Sequence, residues 1–594
     1  MGREIKHEEI KHIHPSTDLK RSNDSDKNAK NPTLCKRELI SWYLYDFANS
    51  VYSSVALSGF LSLALQEIAL ANAGFPEICP NVECNADLVH QYFEDSSCMY
   101  YMKTASDVIG CKEGNNGVYC PGTPASGFCY ESDGITQYIL RATLGSISVD
   151  PNSYFSLTLT ISKIIQVILF LLTGAMADFG GMRRLCLNFW TLLGTISSLF
   201  LPFMTKDAWW VGFFVVLFSN TSYGISIVFY NSYLPLLSQS HPLCSNEKDK
   251  DKKGAIDTKI QDEMSSTGFL MGYIAGFVVL IVCVPIVYFL GTSGYIWSCF
   301  LAGVWWLVFS IPTFLYLKKR PGPDLPKGEH YITYNFKRYG HTCASMLLLP
   351  NAFRLLLAWF LYSDSFSTIT SLAILMANTY VNWYNIPRSI GLVLLMIESP
   401  VAASIGTWFF LTLTRKNLIK GKTIIYICLT VLLFVCIYPC LLTSETLLPI
   451  LNPYWYMLIL CAIFGFILGP VQSYSRSVFS SLIPAGHESE FFALYEISDR
   501  GSSWIGPLAI SLFSTYLNNM LYCFYLELIM VILAFIVFYF VDVEKGKKEA
   551  RLYEAMEDGA KKLETGIKGK ITEVMDTVKD SIKDGINSLT PDKK

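Results

Sequence analysis

The stretch "GAMADFGGMRR", Gly174 to Arg184, breaks two long apolar runs with a compact pattern: Gly, then Asp, Gly and paired Arg. Gly174 allows two helices to approach closely. Asp178 can pair with an arginine across a tight turn, and Arg183 and Arg184 supply the partners. Ion pairs of this kind can break in one conformation and re-form in another. Taken alone, the stretch also fits an ordinary loop whose arginines keep it on the cytosolic side of a membrane. The chain on either side decides between these readings.

The flanks are apolar. The chain of 594 residues is 52% hydrophobic and 16% charged, where a soluble protein carries about a quarter charged residues. A helix needs about 20 apolar residues to cross a bilayer. About twelve such runs fall between residues 40 and 541, the first near 40–71 and the fifth near 265–290. They are continuous rather than alternating, which excludes a β-barrel. The expected fold is an all-α polytopic membrane protein with about 12 transmembrane helices in two six-helix halves. The polar first 38 residues read as a tail without a cleavable signal peptide.

Lys and Arg in the connections set the orientation. With the N-terminus in the cytosol, the cytosolic loops hold Arg183 and Arg184, Lys248 to Lys253, Lys318 to Arg320, Lys337 and Arg338, and Arg415 to Lys422. The opposite loops hold only Lys103, Lys112, Arg141, Lys206 and Arg388. Both termini are therefore expected in the cytosol. The predicted organisation is a cytosolic tail over 1–38, a first half over 39–317 and an inter-half loop over 318–345. A second half follows over 346–541, and a tail over 542–594.

Within the first half, a lumenal loop over 72–153 carries Cys79, Cys84, Cys98, Cys111, Cys120 and Cys129. An even set in one loop-rich segment predicts a disulfide-stapled cap in an oxidising compartment, with the pairing left open. A metal site is the rival, but "CPNVEC" lacks zinc-knuckle spacing. The charged segment 238–264 is expected to be a mobile loop. In the C-terminal tail, Leu563, Ile567, Ile571, Val574, Val578, Ile582, Ile586 and Leu589 form one helical stripe. That stripe suits either a membrane surface or docking on protein.

Two halves with a long joint suggest the major facilitator architecture, and the Gly174–Arg184 stretch resembles that superfamily's signature in the loop between spans two and three. The loop after span eight, "LTLTRKNLIKGK", keeps the bases but lacks the Asp. A more specific likeness lies in "GPVQSYSRSVFSSLIPAGHESEFFALYEISDRGSSWIGPL", Gly469 to Leu508. With "WYLYDFANS" from Trp42, "FYNSYLPLL" from Phe229 and "YSD" from Tyr362, the chain resembles the autophagy-related vacuolar effluxer family of that superfamily. Pro470 stands where a second Gly is typical of the family, and Arg500 where Lys is. The resemblance implies export of amino acids, mainly neutral ones, from a vacuole or lysosome to the cytosol.

Intramembrane charge points to the pathway. A charge at the bilayer centre costs about 2.5–3.5 kcal/mol on insertion scales, so it tends to face a cavity or a partner. Asp364 falls mid-span, suited to a substrate's amino group, to a proton, or to a hydrogen bond with a neighbouring Ser or Thr. Asn220, Tyr230, Asn231 and Gln472 offer neutral polar groups that bind a zwitterion without trapping it. Arg476 can meet a substrate carboxylate, act as a gate, or snorkel to lipid. Asp46 sits a turn or two inside the cytosolic face and is expected to pair with Arg476, with Asn49 and Ser50 continuing its polar face inward. Glu496, Asp499 and Arg500 join the gating set with Gly174, Asp178, Arg183 and Arg184. Glu398 is placed mid-helix, and Lys163 and Gln166 suit either pathway or interface. Gly268, Gly272 and Gly276 mark a close-approach face, expected to slide on Ser399, Ala403 and Gly406.

These features point to a secondary transporter working by alternating access. No P-loop pattern occurs, so a gradient, with protons a candidate, would drive it. A receptor or scaffold on the same fold is the alternative, and intramembrane charge in both halves argues against it. No HExxH, paired catalytic Asp or Ser elbow suggests an enzyme. Neither a cofactor nor a metal is expected. The expected partners are a small amino acid and the lipid bilayer, without nucleic acid. The oligomeric state has no signature in the sequence.

Overall fold

The computed structural model describes residues 32–73, 151–323, 348–379, 388–442, 454–503 and 520–557, with four short strands between 128 and 149 and a few single positions. Helix α1 (Lys36–Val51) runs into a π-helical stretch, Tyr52–Phe60, and then α2 (Leu61–Ala73). Together they form the first span. Strands β1 (Phe128–Tyr130) and β2 (Gln137–Ile139) pair antiparallel, as do β3 (Ala142–Leu144) and β4 (Ile147–Val149). The next helices are α3 (Pro151–Thr173), α4 (Met182–Leu199), α5 (Trp210–Gln239), α6 (Lys250–Leu290) and α7 (Thr292–Tyr316). Then come α8 (Pro350–Thr379), α9 (Arg388–Arg415), α10 (Gly421–Leu441), α11 (Tyr454–Ser480), α12 (Glu488–Ser502) and α13 (Cys523–Tyr539). A bend of 63° separates α13 from a last helix, α14 (Val543–Glu557).

Among the described residues, nine helices are long and apolar enough to cross a membrane, or ten if the bent pair α13 and α14 counts as one span. Their outer faces carry exposed Leu157, Ile168, Phe189, Phe214, Phe434 and Ile532. That pattern suits hydrocarbon, where every backbone polar group is satisfied within a helix. Helix alternation gathers Arg183, Arg320 and Arg415 at one end, here called the basic end. Residues 32–35 lie there too: Leu34 N–H donates to Ser240 O at 3.0 Å, and Arg320 donates to Pro32 O at 2.9 Å. Arg320 also reaches both oxygens of buried Glu38 at 3.1 Å, fastening the start of α1 to the chain after α7.

The π-helical stretch has a local cause. The Ser53 and Ser54 hydroxyls both donate to the Ser50 carbonyl, at 3.0 and 2.7 Å. Hydroxyls that compete for helix carbonyls loosen the regular ladder, and π turns concentrate at functional sites.

Two sequence expectations need correction. The charged segment 238–264 is not a loop throughout, because α6 starts at Lys250. It stays helical because Gln261, Asp262 and Glu263 are buried against protein partners. The glycine stripe of α6 also faces a different neighbour than expected. A Cβ on Gly268 would strike the Asp46 carboxylate, one on Gly272 the Ser50 hydroxyl, and one on Gly276 would lie 2.6 Å from Ser54 Oγ. Glycines at i, i+4 and i+8 on α6 therefore make room for polar groups at i, i+4 and i+8 on the first span. α6 and α9 do pack together, but the small residues of α9 serve α11. Gly406 meets the Phe466 backbone, and Gly465 meets Ser399 and Ala402.

Cys79, Cys84, Cys98, Cys111 and Cys120 lie outside the described residues, as does the Cys129 side chain on β1. Cys186, Cys244, Cys283, Cys299, Cys428, Cys436 and Cys523 are buried free thiols that serve as small packing residues. The tail stripe Leu563 to Leu589 also lies outside the described residues. Helix α14 just before it docks on the protein.

Candidate functional site

Arg476 of α11 is the hub of the basic half of the bundle. Its Nη2 lies 3.2 Å from Asp46 Oδ2 on α1 and donates to Ser265 O on α6 at 3.0 Å. Its Nε donates to Ser265 Oγ at 2.9 Å, and its Nη1 to Asn231 Oδ1 on α5 at 3.1 Å. The Asn231 amide in turn donates to Glu496 Oε1 on α12 at 3.3 Å. Rings surround the guanidinium, with Phe269 at 4.3 Å, Trp42 at 5.4 Å and Tyr230 at 5.6 Å. Tyr230 stacks on Trp42 and tilts against Tyr45. The side chains of Asp46 and Arg476 are 8% and 3% exposed, so the pair is shut off from solvent. A cation stacked on aromatic faces and bonded to a carboxylate is compensated for its burial. The network ties α1, α5 and α6 to α11 and α12.

A second layer lies nearer the basic end. Gly174 leads from α3 into a 3-10 turn, Ala175–Asp178. Asp178 Oδ1 lies 2.6 Å from Arg183 Nη2, and Arg183 Nη2 lies 3.0 Å from Glu488 Oε2. Asp178 also accepts from the backbone N–H groups of Ser489 and Glu490, at 2.9 and 3.2 Å. A carboxylate from the α3–α4 turn thereby caps the N-terminus of α12, where orphan N–H groups and the helix dipole favour an anion. The turn itself needs Gly180, whose φ is +53°. The chain after α7 holds it: Gly180 N–H donates to Pro323 O at 3.0 Å, and Gly322 N–H to Gly180 O at 2.9 Å. Arg184 donates to Phe314 O on α7. Beside this layer Arg415 of α9 meets Glu263 of α6 at 2.8 Å, and Ser477 donates to Asp262.

On the other side of the Arg476 layer, polar groups are only half-buried. Arg500 and Asp499 of α12 are 15% and 27% exposed and 3.7 Å apart. Lys163 of α3 is half-buried within electrostatic reach of Arg500, Asp499 and Asp364. Gln472 accepts from the Tyr273 hydroxyl at 2.6 Å, and the Ser50 hydroxyl donates to Asn49 at 3.4 Å. Lys163, Asp499 and Arg500 thus lie beyond the sealed layer and, unlike it, keep partial exposure.

Some expected pathway residues sit elsewhere. The Asn220 side-chain amide donates to Ser162 at 2.6 Å, and the Asn220 backbone carbonyl accepts from Gln166 at 2.7 Å, so the residue ties α5 to α3. Asp364 is buried in α8, within electrostatic reach of Lys163 and Asp499. Other participants escaped sequence reasoning. Ser265 and Phe269 carry no charge to single them out. Glu488 sits in the first turn of α12, just before the apolar run expected near 491–515. Glu527, a lone carboxyl in the apolar run of α13, was legible by the same insertion cost that singled out Asp364.

This bundle, with charge layers joining α1 to α11 and the α3–α4 turn to α12, is a membrane protein of the major facilitator fold. A solved structure of the proton:xylose symporter XylE, bound to 6-bromo-6-deoxy-D-glucose, matches it with a TM-score of 0.53 at 13% identity, covering 87% of this chain and 98% of that one. Residues 35–551 match the family model described as vacuole effluxer Atg22 like, and the chain belongs to that family. It is 27% identical over 600 residues to autophagy-related protein 22-1 of Aspergillus niger, covering 90% of this chain and 93% of that protein. It is 28% identical over 474 residues to autophagy-related protein 22 of Yarrowia lipolytica, covering 69% and 79%. The protein is a multi-pass membrane transporter linked to autophagy.

Proposed function

We propose that this transporter exports neutral amino acids from a vacuolar or lysosomal lumen to the cytosol by alternating access. Both termini and the basic end face the cytosol in this reading, and halves 39–317 and 346–541 rock against each other across the Arg476 layer. The observation that carries it is the contrast between the sealed Asp46–Arg476–Asn231–Glu496 network and the partly exposed Lys163, Asp499 and Arg500 beyond it. Lys163 and Arg500 suit a carboxylate, and Asp499 suits an ammonium group, which together match a zwitterion. The seal is then the cytosolic gate, closed while the lumenal side admits substrate. The family's description as vacuole effluxers supports the compartment and the direction. Protons from an acidic lumen are the proposed driving ion.

Reconstitution into liposomes with a panel of labelled amino acids tests this. Saturable flux of neutral amino acids, lost in Lys163→Ala and Asp499→Ala, is the expected result. Binding without flux, or no preference for zwitterions, would overturn the substrate assignment.

A further inference from the structure

Two carboxyl groups in the second half of the chain lack any hydrogen bond of normal geometry among the described residues. Asp364 on α8 is 1% exposed and Glu527 on α13 is fully buried, and every oxygen of both carboxyls is unpartnered. Helices α8 and α13 pack side by side, and the two carboxyls lie within electrostatic reach of each other. The Gly506 N–H faces Asp364 and the Ser365 hydroxyl faces Glu527, each short of a full hydrogen bond. Lys163 of α3 and Asp499 of α12 also face Asp364. Cys523 of α13 and Cys436 of α10 face Glu527. The nearby cation, Lys163, belongs to the first half of the chain.

An unpaired carboxylate out of water is costly, and two adjacent ones repel. Two buried carboxyls that repel each other and lack donors do not both ionise, so the pair retains a proton. We propose that Asp364 and Glu527 share one proton and form a proton-binding site of the transport cycle. Glu527 is the fifth residue of α13, close to the helix end that lies away from the basic loops. It is the entry carboxyl, and Asp364, beside Lys163, is the inner one. Lys163 moves with the first half. In the conformation seen here, its charge offsets the carboxylate that remains beside the shared proton. A second proton, entering past Glu527, must neutralise that carboxylate before rocking can draw Lys163 away, so the pair holds one proton here and two in the other state. Proton occupancy and conformation thus become linked, because the two states bind the proton differently. The coupling role rests on the proposed transport function, whereas the shared proton does not.

Infrared difference spectra of the purified full-length protein read the proton directly, through the C=O stretch of a protonated carboxyl and without any transported solute. The wild type should show a band, shifted in heavy water, that Glu527→Gln and Asp364→Asn each remove or displace. Glu527→Asp, which keeps a carboxyl, should retain one, and size-exclusion profiles confirm that each variant is folded. Variant spectra that superimpose on the wild type would overturn the shared proton. Proteoliposome uptake under an imposed pH gradient then tests coupling: Glu527→Gln should lose the response that the wild type shows. A full response in Glu527→Gln would overturn the coupling. A wild type that moves no amino acid would sink the substrate reading and leave the infrared result to decide the site.

Discussion

The Arg476 guanidinium lies 3.2 Å from the Asp46 carboxylate, although 430 positions separate the two residues in the chain. The contact joins the first span to α11, so any motion that parts the first and second halves at the basic end must break it. Removing one partner leaves the other buried and unpaired, which costs about 3–5 kcal/mol. Asp46→Asn and Arg476→Gln should each shift the balance away from this sealed state by about a hundredfold or more. Transport by vesicles reports the loss. The exchange Asp46→Arg with Arg476→Asp should recover only part, because the Phe269, Trp42 and Tyr230 rings are shaped around a cation at position 476. No recovery at all beyond the single variants would mean that the pair is not a gate.

Asp178 makes a different kind of contact, with backbone as well as side chain. It caps α12 through Ser489 and Glu490 while holding Arg183. Loss of such a cap costs about 0.5–2 kcal/mol, before the stranded arginine is counted. Asp178→Ala should therefore open the basic end more often. Cys186, one turn beyond Arg183 and 6% exposed, is a built-in reporter. Its labelling by a water-soluble maleimide, read by mass spectrometry, should accelerate several-fold in Asp178→Ala. Equal labelling in variant and wild type would remove Asp178 from the seal.

Much of this was legible, for one physical reason. Charge in a bilayer is expensive, so Asp46, Arg476, Asp364 and Glu496 stood out and had to find partners or cavities. The loop at Asp178 and Arg183 was legible because a Gly-rich turn between apolar runs leaves its charges few roles. What stayed hidden was relational. A stripe of glycines announces a close approach but not its partner, so Gly268, Gly272 and Gly276 were matched to α9 when they face α1. Ser265 contributes a hydroxyl and a carbonyl that any serine could offer. The charged start of α6 resembled a loop, because nothing local shows that Asp262 and Glu263 have partners on α11 and α9.

The glycine ladder carries its own test. A Cβ at Gly272 would collide with Ser50, and the Asp46 backbone lies 3.2 Å away. Gly272→Leu should stall transport while the protein still elutes as a folded species. Gly272→Ala should be milder, and adding Ser50→Gly should relieve it by returning the lost volume. Full turnover in Gly272→Leu would show that α1 and α6 have room to spare and do not set the motion.

Helix α14 lies across the basic end and holds the loop that feeds the cap. Ala485 N–H donates to Glu554 at 2.6 Å, and His487 sits between Glu490 at 3.0 Å and Glu557 at 2.8 Å. Asn351, at the start of α8, donates to Glu549 at 2.8 Å. Loop 481–487 leads directly into the Ser489 and Glu490 amides that Asp178 holds, so fixing the loop fixes the register of the cap. Hydrogen bonds of this kind contribute about 0.5–1.5 kcal/mol each, and less where exposed as Glu554 and Glu557 partly are. Glu554→Ala combined with Glu557→Ala should therefore cost little global stability yet loosen the loop. Hydrogen exchange of the amides from Ala485 to Glu490 should speed up several-fold, while amides in mid-α11 keep their protection. Cys186 labelling should rise in step, by less than in Asp178→Ala, because the cap itself remains. Unchanged exchange at Ser489 and Glu490 would show that α14 merely rests on the surface and has no hold on the seal.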